Sequence, residues 1–198
     1  MAGCFFGRLK KAVLLAALSG LSACAQFQYQ PVATIDKVDR SQGYRFDAEA
    51  GKPQDDDMLV VLMFSGGGTR AAALGYGVLE ELDKQKIYSG GREKSLLEAV
   101  DLVYGVSGGS VLAAYFSLHG KETIPSFERR FLKQNFQRQV SKQVFSLANV
   151  PRLTSPEFGR GDLLQEQFES TLFKNATFGD LASHRKGPFA VITATDMS

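Results

Sequence analysis

The residues in this chain best placed to do chemistry are Gly105-Val106-Ser107-Gly108-Gly109, a serine held among glycines. A G-x-S-x-G run between a strand and a helix makes a sharp turn, and only small neighbours leave room for it. Its serine oxygen then stands exposed above a sheet, at the positive end of the following helix, where it can attack an ester carbonyl. Such short patterns also arise by chance, and the strand–turn–helix context is what gives this one weight. A second cluster, Ser65-Gly66-Gly67-Gly68-Thr69-Arg70, offers the complement. Acyl transfer puts negative charge on the carbonyl oxygen, and backbone N–H groups aimed at one spot, free of side chains, stabilise it. Consecutive glycines at a helix start supply such groups, so Gly66, Gly67 and Gly68 are the candidate oxyanion hole. Arg70 is a candidate to fix that loop or to meet a substrate phosphate, and Gly105 and Gly109 give the serine turn its room.

Both clusters need elements to hold them. Met58 to Phe64 is a continuous apolar run rich in β-formers, the pattern of a strand covered on both faces, and the glycines stop it. A helical stretch follows from about Thr69 to Lys86, with Gly75 and Gly77 inside it. Two glycines there lower helix stability and suggest that something packs closely against them. A second apolar run, Val100 to Tyr104, leads into the serine turn, and Ser110 to Leu118 is a small, apolar helical pattern. Pro188 to Ala194 reads as a third strand. Strand, glycine loop, helix, strand, glycine turn, helix is the alternation of an α/β fold with a mainly parallel central sheet.

Two rival chemistries fit parts of this pattern. Gly66-x-Gly68-x-x-Ala71 matches a dinucleotide-binding fingerprint, which requires a second strand ending in an acidic residue about twenty positions on. Lys84 to Lys94 contains no apolar strand, which weakens that reading sharply. A Ser-His-Asp triad is the other rival, since Ser107, then Asp162 or Asp180, then His184 follow in the order of an α/β-hydrolase. His184 lies in a polar connection, where a surface role is the plainer expectation. His119, beside Gly120 at a helix end, reads as a favourable charge at a C-terminus.

The strand ending in Gly66-Gly67-Gly68-Thr69-Arg70, the helix, and the strand ending in G-x-S-x-G together resemble the patatin-like phospholipase family. The later segments TFGDLA and PFAVITATDMS are similar to its following portion, so the resemblance runs from Met58 to the last residue. Ala71 departs from it, standing where the family usually has glycine. The resemblance implies a three-layer, patatin-like α/β sandwich and a Ser–Asp dyad, with no metal or organic cofactor. Ser107 is then the nucleophile, the glycine loop holds the oxyanion, and an aspartate is the base. That aspartate belongs to a D-G-G or D-G-A motif beyond the TATD strand, and no Asp of this sequence is followed by Gly. Asp196 belongs to TATD and is not the motif residue. The expectation is therefore an incomplete domain whose base lies past Ser198. A catalytically inactive lipid-tethered scaffold or binding lipoprotein stays open, as does a thioesterase or acyltransferase.

The ends of the chain say where such an enzyme would work. Arg8, Lys10 and Lys11 precede the short apolar run Ala12 to Leu18, the order of a secretory signal. Leu21-Ser22-Ala23-Cys24 resembles a bacterial lipobox, cut before Cys24, whose thiol is then lipidated. Cys4 would be lost with the leader, so Cys24 has no internal disulfide partner. The net charge of +2 comes from the leader, since removing its three cations leaves the remainder at −1. That balance suggests no nucleic-acid partner. The expected division is a signal over residues 1–23, a lipidated N-terminus and polar tether over 24–57, and the hydrolase domain over 58–198. Ala25 after the cysteine resembles the outer-membrane sorting pattern, which places the protein in the bacterial envelope, facing the periplasm. The membrane enters twice, through the anchor at Cys24 and as the lipid substrate, while protein partners leave no trace. Ser126 to Leu147 is amphipathic, with Leu132, Phe136, Val140 and Val144 in one row and five basic residues off it. A cover helix with a solvated basic face is favoured over an interfacial helix.

Overall fold

β-branched and aromatic runs form the strands, and glycines end them. The computed structural model describes residues 36–39, 41–46, 58–153, 155 and 158–193. Strand β1 (Val60–Phe64) leads through the glycine loop into helix α1 (Gly68–Lys84). A hairpin, β2 (Lys86–Ser89) and β3 (Arg92–Ser95), precedes β4 (Val100–Val106) and helix α2 (Gly108–His119). Short helices follow: α3 (Thr123–Phe127), α4 (Phe136–Val144), α5 (Val150–Leu153), α6 (Arg160–Phe168) and α7 (Phe178–His184), before strand β5 (Phe189–Thr193). The central sheet has the order β1-β4-β5 and is parallel throughout. The result is the expected α/β class, a mainly parallel sheet flanked by helices. No described helix is long and apolar enough to cross a membrane.

Register decides which side chains meet the helices. Leu62 pairs with Val103 and Phe64 with Gly105, while Val103 and Gly105 face Ala190 and Ile192. All of these but Gly105 join Ala72 and Leu79 of α1 and Leu112, Ala113 and Phe116 of α2 in one core. Burying a side chain such as Leu79 or Leu112 fully contributes about 1.5–3 kcal/mol each. The alternate residues carry the other face, where Val61 is 37 % and Met63 77 % exposed. Among the described residues β1 is thus covered on one face, not two. A continuous apolar run tells that both faces are apolar, not which segments cover them.

Gly75 explains how α1 sits so close. A methyl there would stand 2.7 Å from Leu112 Cδ2 and 2.9 Å from Phe64 Cδ1, whereas Gly77 meets nothing within 4 Å. The expected close packing holds at the first glycine only.

Three further segments show detail that the sequence left open. Lys84 to Lys94 does carry strands, but polar ones, in a separate antiparallel pair outside the central sheet. The amphipathic stretch is not one helix: a π-helical turn (Glu128–Leu132) and a break precede α4, where Asn135 Oδ1 caps the Arg138 N–H at 2.9 Å. Its apolar row still turns inward, with Phe136 and Val140 buried and Leu132 and Val144 half-buried, as a cover helix requires. Tyr44, within the expected tether, stacks on Phe189 with ring centroids 4.2 Å apart. Its hydroxyl accepts the Ala190 N–H at 2.6 Å. The leader, Cys24 and Asp196 lie outside the described residues.

Candidate active site

Ser107 joins β4 to α2 with φ 52 and ψ −118, a conformation non-glycine residues rarely adopt. The chain tolerates it because its neighbours are glycines in tight quarters. A methyl on Gly105 would stand 2.6 Å from Ser110 Cα, and one on Gly109 would stand 2.5 Å from the Phe64 carbonyl. A methyl on Gly108 would collide with the Gly68 carbonyl oxygen. The serine turn and the glycine loop therefore pack backbone to backbone. Gly66 completes the contact, its ideal Cβ position lying 3.7 Å from Ser107 Cβ. Thr193, at the end of β5, donates its hydroxyl to the Gly105 carbonyl at 2.9 Å. Three strand ends thus converge on one serine.

The local electrostatics favour an anion here. The Ser107 carbonyl accepts the Ser110 N–H at 2.9 Å and the Val111 N–H at 3.4 Å. The Gly108 and Gly109 N–H groups stay outside the helical ladder, at the positive end of α2. Gly67 (φ 138) and Gly68 (φ 64) take left-handed conformations at the start of α1, which bring a second helix N-terminus to the same place. Ser107 is exposed, and its hydroxyl has no hydrogen-bond partner among the described residues. Arg70 is also exposed on the first turn of α1.

The structure does not assemble the histidine triad. β5 runs parallel to β4 from Phe189, opposite Leu102, to Thr193, opposite Val106. His184 precedes that strand, so it lies toward the opposite end of the sheet from Ser107. Its Nδ1 pairs with the Ser183 hydroxyl at 2.8 Å. Asp180 accepts the Thr177 N–H at 2.7 Å, and Asp162 accepts the Gly159 N–H at 2.7 Å. Both are helix-capping carboxylates. The dinucleotide reading loses its second parallel strand to the polar hairpin. No cluster of three or more His, Cys, Asp or Glu that could hold a metal ion occurs among the described residues. His119 departs from its expected role: burial, the largest influence, pushes its pKa below the usual histidine value, which disfavours the charge expected at that helix end.

Two contributors escaped the sequence reading. Gly108 makes the tightest contact with the glycine loop, and its place in the Gly108-Gly109 pair was the available signal. Thr193 had none, since nothing local ties the end of β5 to the end of β4.

The family model described as patatin-like phospholipase matches residues 62–195, which span the glycine loop, the serine turn and β5. No curated protein and no solved structure matches the chain.

Proposed function

The chain belongs to the patatin-like phospholipase family, and from that premise we propose that it is a serine acyl-ester hydrolase acting on membrane lipids, of phospholipase A or lysophospholipase type. The observation that carries this reading is Ser107 at positive φ, packed against the glycine loop. In the proposed reaction Ser107 Oγ bonds to the ester carbonyl carbon while its proton passes to a carboxylate. The carbonyl electron pair moves to oxygen, facing the N–H groups of the Gly66–Gly68 loop. Collapse of that intermediate breaks the ester C–O bond, and the leaving alcohol takes up the proton. Water then repeats the sequence on the acyl-enzyme and frees the fatty acid. The base we assign is an aspartate of the family's D-G-G or D-G-A motif. No described carboxylate hydrogen-bonds Ser107. Lipidation at Cys24 would hold the enzyme beside its substrate in the bacterial envelope, facing the periplasm from the outer membrane.

The test is fluorophosphonate labelling of the full-length protein, read by intact mass. We expect one adduct on the natural protein, none on Ser107→Ala, and undiminished labelling on His184→Ala. Loss of labelling on His184→Ala would restore the triad. A folded natural protein that takes up no label is instead the inactive scaffold.

A further inference from the structure

A polar cavity lies at the far end of α2, about twelve residues or roughly 18 Å of helix from Ser107. Its volume is about 460 Å³, within the roughly 300–1,000 Å³ usual for small-molecule sites. Arg129, Arg130, Lys174 and Lys186 line it with His119, and Glu122 is its single carboxylate. That carboxylate is already engaged, 3.0 Å from Lys186 Nζ. Arg129, Arg130 and Lys174 have no acidic partner among the described residues. Like charges gathered without counter-charges raise each other's energy, and an anion entering between them relieves it. The C-terminal dipole of α2 opposes an anion by only about half a charge, so the cations prevail.

The backbone sets where these cations start. Arg129 and Arg130 sit on the π-helical turn Glu128–Leu132, and Lys174 directly follows a second one, Glu169–Phe173. Such turns are rare and frequent at functional sites. Lys174 is held at φ 49, with its N–H 2.6 Å from the Glu169 carbonyl. Lys186 is placed by close backbone packing, since a methyl on Gly120 would stand 2.6 Å from its carbonyl oxygen. His119 Nε2 is buried without a hydrogen-bond partner among the described residues, and burial favours the neutral imidazole.

We propose that this cavity binds a phosphate-bearing anion, either the headgroup of an anionic lipid or a free phosphate, at a site separate from Ser107. The ester and phosphate of one phospholipid are only a few bonds apart, so the site is too distant to hold the lipid being cleaved. Bound there, a headgroup would dock the domain on an anionic surface.

The test uses the full-length protein carrying Ser107→Ala, so that no vesicle lipid is consumed. Its probes are inorganic phosphate, by calorimetry, and phosphatidylcholine vesicles with and without phosphatidic acid, by sedimentation. Arg130→Gln with Lys174→Asn removes two cations, and Asn tolerates the left-handed conformation at position 174. Arg138→Gln, exposed on α4 away from the cavity, is the control. We expect the double variant to bind about tenfold or more weakly and the control to bind normally. Phosphate binding without vesicle preference identifies a free anion as the ligand, and preference for phosphatidic acid vesicles identifies the headgroup. Failure to bind either probe, or unchanged binding by a folded double variant, overturns the site. None of these readouts needs Ser107 to be reactive, so the outcome is independent of the proposed activity.

Discussion

A serine at φ 52 stores of order 1–3 kcal/mol of backbone strain, and its surroundings must hold it there. Here they are the glycines at 105, 108 and 109 and the Thr193 hydroxyl on Gly105. Gly108 is the sharpest test of that arrangement, because any side chain on it must displace the Gly68 carbonyl. Gly108→Ala should slow fluorophosphonate labelling by about 10²–10³, the loss associated with one oxyanion donor. Gly66→Ala should cost far less, since its methyl would make ordinary contacts at 3.6–3.8 Å. Labelling rates beside circular dichroism check both. Equal rates for the two variants would mean that the loop does not serve the serine.

Helix α1 shows how identical residues diverge once an element has neighbours. Gly75 and Gly77 are two positions apart, so they point to different sides of the helix. Gly75 faces Phe64 and Leu112, while Gly77 faces open space. Gly77→Ala should therefore raise stability by up to about 1 kcal/mol through helix propensity alone. Gly75→Ala should lower it by about 1–3 kcal/mol through overpacking. Urea midpoints measure both, and a stabilising Gly75→Ala would refute the α1–α2 contact. The hairpin carries a different lesson. Gly90 (φ 60) and Gly91 (φ 75) form the two-residue connection of β2 and β3, where positive φ at both positions matches strand twist. That Gly-Gly signal was legible in the sequence, but the polar strands on either side obscured it.

At the scale of the molecule, packing also sets how stability responds to pH. His119 is pressed against Tyr115, with ring centroids 4.2 Å apart. Burial lowers its pKa first, with Arg130 and Lys186 adding to the shift and the Leu172 carbonyl and Glu122 opposing it. The folded chain thus binds this proton less tightly than the unfolded chain, whose value is near 6.5. Its contribution is intact above that pH and is lost as pH falls below it toward the folded value. His119→Gln should flatten the decline in stability between about pH 7 and about pH 5. Urea unfolding at a series of pH values checks this, and an unchanged slope would assign the decline to other groups.

The sequence by itself determined the α/β class, the three parallel strands, and the two glycine clusters at strand ends. Those features rest on local rules: apolar runs make strands, and glycines permit turns that other residues resist. It also carried the family, through two motifs in fixed order. Tertiary structure decided what local rules cannot express. It brought Thr193 to Gly105 and Gly108 to Gly68, contacts between residues far apart in the chain. It separated His184 from Ser107, although their order in sequence suited a triad, because parallel strands put the start of one and the end of another at opposite ends of the sheet. It also gathered cations from three segments around His119, since charge clustering depends on distance in space and not along the chain.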